Sequence, residues 1–251
     1  MRKSLIAGAL ALAAVASSTV GANAASSTPR AAAPSKVYVI HGLPLDNAGT
    51  KVDVYAGAAS GAVGDAGILA NDFTFKSVAG PVSLAPASYK VYVAKPTASN
   101  DGKLSADEVI FSKVLDVPSG LNLSAIASFD EKGDPTINVF KNDVSKVPVG
   151  GGRISIRHAA AAPPVKVDLG YYPFNRRFDF FTNTYGPAAN GQQGDVVTAA
   201  GPYDVGVRLA SSGALVTAIP RFPVSARMLT TVYAVGKPGS SFGFIVARIG
   251  L

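Results

Sequence analysis

No cysteine and no tryptophan occur in the 251-residue sequence, and only two histidines and two methionines do. Without cysteine the chain has no disulfide, no thiol nucleophile, no lipoprotein thioether anchor and no Cys-based metal site. It must hold together by burial of a core, for which its length suffices. Long apolar runs are equally scarce. The one run of note, residues 5–16, would make only about 18 Å of helix against a hydrocarbon core of roughly 30 Å. Nowhere else does an apolar face persist at helical spacing for three turns. Enzyme signatures are missing too: there is no G-x-S-x-G elbow, no H-E-x-x-H and no phosphate-binding glycine loop. A non-catalytic protein with no cofactor is expected. A carboxylate-based envelope hydrolase is the enzymatic alternative, although only four acidic residues lie beyond position 150.

The N-terminus supplies Arg2 and Lys3, then the apolar run, then Ala22, Asn23 and Ala24 in the small-x-small pattern of a signal-peptidase site. Residues 1–24 are therefore expected to be a cleaved export signal, and residues 25–35, Ala25 followed by SSTPRAAAPS, a linker. The expected location is secreted, periplasmic or cell-wall associated, with no membrane anchor. Charge is unevenly spread: residues 25–150 carry 11 Lys+Arg against 12 Asp+Glu, and residues 151–251 carry 10 against 4. Eight of those ten bases are arginine. For an exported protein such a half points to wall polymers or acidic polysaccharides rather than to nucleic acid.

What is abundant is period-two alternation, in VYVI (37–40), KVDVY (51–55), YKVYVA (89–94), EVIFSKVL (108–115) and TINVF (136–140). Turn signals such as KGDP (132–135) separate these runs, which is the pattern of an antiparallel sandwich. The plan then recurs. RISIRH (153–158) matches KVYVIH (36–41), and VKVDLGYY (165–172) matches TKVDVYAG (50–57). AAGPYDVGV (199–207) matches APASYKVYV (85–93), and LTTVYAVGKPG (229–239) matches LSAIASFDEKG (123–133). Four blocks in one order predict two tandem immunoglobulin-like antiparallel β-sandwiches, over 36–147 and 153–251, joined by a linker at 148–152.

The strand ending in His, the Pro-containing turn and the V-D-V/L block occur as VIHGLP with VDVY, and as IRHAAAAPP with VDLGYY. In this the chain resembles a bacterial family of exported proteins known as domain of unknown function 4397. The resemblance implies an extracytoplasmic β-sandwich, often in tandem, with no established reaction.

Three groups of residues are candidates for function. His41 and His158 end equivalent strands, and a buried imidazole needs hydrogen-bond partners. Each is expected to be structural, His41 pairing with Asp53 and His158 with Asp168, or with nearby backbone. TASNDGKLSADE (97–108) places Gly102 and Glu108 as a calcium loop would, but Thr97 and Ser99 stand where carboxylates are wanted. A hairpin loop is the expected reading there, and no metal site. YYPFNRRFDFFTNTY (171–185) gathers seven of the 21 aromatics with two arginines. Tyr171, Tyr172 and Phe174 for stacking, with Arg176 and Arg177 for charge, form the candidate binding surface. The expected function is a cell-envelope binding or structural module recognising an anionic polymer. The alternative is a protein–protein module that adds partner strands to its sheet edges.

Overall fold

The computed structural model describes residues 32–45, 51–96, 103–171 and 183–251. These residues form an all-β molecule of two sandwiches. The first unit contains β1 (Ser35–His41), β2 (Lys51–Ala58), β3 (Gly67–Thr74), β4 (Val78–Leu84), β5 (Ala87–Ala94), β6 (Val109–Val117), β7 (Asn122–Phe129) and β8 (Pro135–Lys141). The second contains β9 (Gly151–Ala160), β10 (Val165–Tyr171), β11 (Asn183–Ala188), β12 (Gln193–Ala199), β13 (Gly201–Leu209), β14 (Leu215–Val224), β15 (Met228–Gly236) and β16 (Gly243–Gly250).

Sheets β4-β1-β7-β8 and β3-β2-β5-β6 make the first sandwich. Sheets β12-β9-β15-β16 and β11-β10-β13-β14 make the second, with the same strand order. One pairing in each unit departs from the antiparallel rule: β1 runs parallel to β7, and β9 parallel to β15. A parallel pair requires a long connection, and here nearly the whole unit lies between the two strands.

Alternation explains the two sandwich cores. Val37 and Val39 of β1 meet Val52, Val54, Val91 and Val93 in the first. Ile154 of β9 meets Val165, Val167, Val205, Val207 and Val232 in the second. A third apolar layer lies between the units. Ile40, Ile126 and Phe140 of the first pack against Ala159, Tyr233, Val235 and Ile245 of the second. The molecule is thus four sheets deep, with β1, β7, β9 and β15 covered on both faces. Strands covered on both faces lose the polar half of their alternation, which is why VYVIH, LSAIASF and TTVYAVG read as nearly continuous apolar runs.

Register corrects one block of the sequence alignment. His41 lies opposite Ala127, and His158 opposite Ala234. Ala234 is therefore the counterpart of Ala127, whereas LTTVYAVGKPG laid on LSAIASFDEKG puts Tyr233 there. The slip is a single residue, and in a strand a single residue exchanges the two faces. In the structural register Ile126 corresponds to Tyr233, and both face the seam.

The glycines read as linker also prove to be part of the sheet. β8 ends at Lys141 and β9 begins at Gly151, with Gly151 and Gly152 paired to Ala199 and Thr198 of β12. A Cβ on Gly152 would lie 2.4 Å from the Ser225 carbonyl oxygen, so the close approach of that turn requires glycine.

Candidate functional site

The two histidines occupy the same corner in both units. His41 ends β1 and His158 lies near the end of β9, and both are buried. The His41 N–H donates to Ser77 and its carbonyl accepts from Lys76, in the turn between β3 and β4. The His158 N–H donates to Gln192 and its carbonyl accepts from Gly191, in the turn between β11 and β12. Each backbone thus brackets the equivalent hairpin turn. Each ring Nδ1 faces the N–H two residues ahead, Leu43 in one case and Ala160 in the other, both at 3.4 Å.

His158 uses its second ring nitrogen on the Pro163 carbonyl, 3.2 Å away. With Nδ1 accepting, Nε2 carries the proton and donates, which defines a neutral tautomer. Burial pushes the His158 imidazole below its ordinary value, with the Pro163 carbonyl and Glu131 partly opposing. Both ring nitrogens therefore go to local backbone, and the direct His158–Asp168 pair is not formed. The Asp168 carboxylate instead takes Arg208 Nε at 2.8 Å. Asp53 accepts the N–H of Asp72 at 2.8 Å, where β3 bulges with φ of 52°. His41 packs between Phe73, stacked at 6.1 Å, and Phe75, edge-on at 6.2 Å. These are fixtures of a corner, enclosed by core.

Asp204 carries a role that sequence reasoning missed. Buried on β13, it accepts the N–H of Arg221 at 3.0 Å, where β14 bulges with φ of 54°. The available signal was an aspartate inside the otherwise apolar PYDVGV run.

Of the aromatic–arginine stretch, Tyr171 closes β10 opposite Tyr203. Tyr172, Phe174, Arg176 and Arg177 lie outside the described residues, as does 97–102 of the calcium-like string. The remainder of that string forms a short 3-10 turn, Ala106–Glu108, in a capping box. Glu108 there accepts the Ser105 N–H at 2.9 Å, and the Ser105 hydroxyl binds Asp107. That Ser105 bond, with the local backbone, holds the Asp107 carboxyl below its usual range. Among the described residues no group of three His, Asp or Glu is placed to hold a metal ion.

The basic charge of the second half divides sharply between interior and surface. Arg153 is buried beneath the inter-unit segment, with Asp143 at 3.1 Å and Ser145 as partners. Arg157 is completely buried in the seam. Its Nε donates to Ser155, one terminal nitrogen to the Tyr233 hydroxyl at 2.6 Å, and the other to Asn142 at 2.7 Å and the Lys141 carbonyl at 3.1 Å. The guanidinium also lies over the rings of Phe140 and Tyr233. Burial pulls it below its ordinary value, and Tyr233 opposes that shift. Further along, Asn190 donates to the carbonyls of Phe129 in the first unit and Ala160 in the second, and Lys237 caps the Phe129 ring at 4.2 Å. By contrast Arg221, Arg227 and Arg248 are exposed, each on the second unit.

The family described as "Domain of unknown function (DUF4397)" matches residues 35–168, the whole first unit and the opening strands of the second. No curated protein matches the chain. Among solved structures, the Bacillus anthracis TIE protein is similar at 9% identity and a TM-score of 0.25, over 82% of this chain and 33% of that one. This chain therefore spans about a third of the TIE protein's length. The fimbrial anchor protein Mfa2 from Porphyromonas gingivalis is similar at 9% identity and a TM-score of 0.24, over 87% of this chain and 98% of that one. Among the described residues no helix is long and apolar enough to cross a membrane.

Proposed function

Since this chain belongs to the DUF4397 family, we propose that it is an exported, non-catalytic envelope module whose second unit recognises an anionic polymer. One observation carries the reading: in the second unit Asp168 and Asp204 are engaged inside, while three arginines stand at the surface. Asp168 is bound to Arg208 and Asp204 to a backbone N–H, both buried. Arg221, Arg227 and Arg248 stay at the surface. A wall polymer or acidic polysaccharide fits a surface of that sign. Arg176 and Arg177 would add charge, and Tyr171, Tyr172 and Phe174 would stack on sugar rings.

The test is retention of residues 25–251 on purified anionic wall polymer across a salt series. Retention should fall as salt rises, and should drop further in the Arg176→Ala, Arg177→Ala double variant. Absence of retention at low salt would overturn the reading. A second reading, strand addition to a sheet edge by a partner protein, is favoured by the difference between β8 and β16 described next.

A further inference from the structure

The two units differ at one edge. In the first, Lys113 of β6 lies beside Val91 and so faces into the sandwich. Its ammonium crosses to β8, donating to the Thr136 hydroxyl at 3.0 Å and the Ile137 carbonyl at 2.9 Å. An inward-pointing charge on an edge strand obstructs further strand pairing. Here it also joins the two edges of the sandwich and occupies a β8 carbonyl.

The second unit lacks this staple. Tyr89 and Tyr203 are equivalent, each donating its hydroxyl to a carbonyl four residues upstream, Ala85 and Ala199. From that anchor Ile219 takes the place of Lys113, because Val91 pairs with Lys113 and Val205 with Ile219. Phe244 likewise takes the place of Ile137, because Ala127 pairs with Ile137 and Ala234 with Phe244. Ile219 and Phe244 line one inter-sheet cavity, and among the described residues no hydrogen bond joins β14 to β16. Further along each edge, Leu215 is 45% exposed and Val246 40% exposed.

Of the two edges, β16 is the one fit to accept a strand. Its eight residues contain no proline and pair with β15 from end to end. β14 contains Pro220 and Pro223, which cannot donate. The chemistry of the incoming strand follows from charge. No Asp or Glu follows Asp204, whereas Arg208, Arg221, Arg227, Lys237 and Arg248 do. Arg227 and Arg248 are exposed, the latter on β16 itself. A second copy of this chain would bring the same arginines to the contact, so like charges would oppose self-pairing.

We propose that β16 accepts an added strand from a partner protein, an extended segment that sets apolar residues and an Asp or Glu at alternate positions along one face. Its backbone extends the sheet, its apolar side chains settle against Val246 and the Ile219–Phe244 mouth, and its acid meets Arg248, which shares the Phe244–Val246 face of β16. This rests on the protein-binding reading, not on the polymer reading.

The test measures amide exchange across residues 243–250 of the full chain with three nine-residue probe peptides. The Val-Glu peptide sets Val, Val and Glu at alternate positions with Thr between them, the Val-Lys peptide carries Lys in place of Glu, and the third is the Val-Glu peptide with a central Pro. The Val-Glu peptide should slow exchange in 243–250 about tenfold near saturation, and the other two should not. Ile219→Lys, which installs the first unit's staple, should abolish that protection while the melting temperature holds. Arg248→Glu should transfer the preference to the Val-Lys peptide. Protection absent up to about 1 mM Val-Glu peptide would overturn the proposal. Equal binding of the proline-containing peptide would overturn it too, as simple charge attraction, and would leave the anionic-polymer reading standing. Protection that grows with chain concentration without peptide would overturn it in favour of a second copy.

Discussion

At the scale of single residues, the His158 imidazole links burial to pH. The folded ring binds its proton more weakly than the unfolded one, because protonation would charge a group enclosed by core. Between the two values the unfolded chain holds more protons, so stability rises with pH there. Above about pH 6.5, the ordinary imidazole value, the contribution is fully present. It should be lost as pH falls from there to the folded value. Melting temperature followed from pH 8 to pH 5 should therefore decline, and the His158 ring signals in NMR should titrate below the ordinary value. A ring that titrates at or above the ordinary value would contradict the buried neutral tautomer. That a histidine stood at each corner was legible from its place at the end of two matching strands. Its partners were not, since Pro163 and Ala160 reach the ring only through the shape of the turn.

At the scale of elements, the two sandwiches share topology but not packing. The first unit sets Leu43 in its core after the corner, with Leu45 against it. The second has Ala160, Ala161 and Ala162 there, and Ala160 and Ala162 pack in a small cluster with Ala234. A cavity of ≈ 30 Å³ lies between the sheets of the second unit, lined by Val167, Val205, Val207 and Ile219 among others. Interiors are normally packed without such gaps. Val205→Ile should therefore fill space and raise stability by about 1 kcal/mol in urea denaturation. The same change at Val93, 1% exposed in the first core, should lower it. Strand identity at this scale was readable from alternation alone. The one-residue displacement of β15 was not, because its true partners are set by pairing with β9 across most of the unit.

At the scale of the whole molecule, the seam makes one body of two repeats. Its apolar layer and its buried guanidinium join them, and Gly42 fits only because a Cβ there would lie within 2.9 Å of Ile126 and Val235 side-chain atoms. Calorimetry should give one cooperative transition. Arg157→Leu takes a donor from Asn142 and the Lys141 carbonyl, which keep Ser124 and Gln193, and removes the guanidinium bonded to the buried Tyr233 hydroxyl. Stranding a buried polar group costs on the order of 2 kcal/mol. The variant should unfold in two transitions, one for each unit. A single transition with unchanged midpoint would show that the repeats are not coupled through Arg157.

The amino-acid sequence by itself determined the class of fold, the presence of two units and the matching corners, because alternation and turn chemistry act between near neighbours in the chain. Only the tertiary structure decided which arginines are surface and which are seam, and which edge is stapled. RISIRH carries two arginines that look alike in sequence, yet both are buried, while Arg221, Arg227 and Arg248 remain outside. Burial of a charge depends on partners contributed by distant segments, here Asn142 and Tyr233 around Arg157. Those partners come within hydrogen-bonding reach only once the two inner sheets have packed face to face.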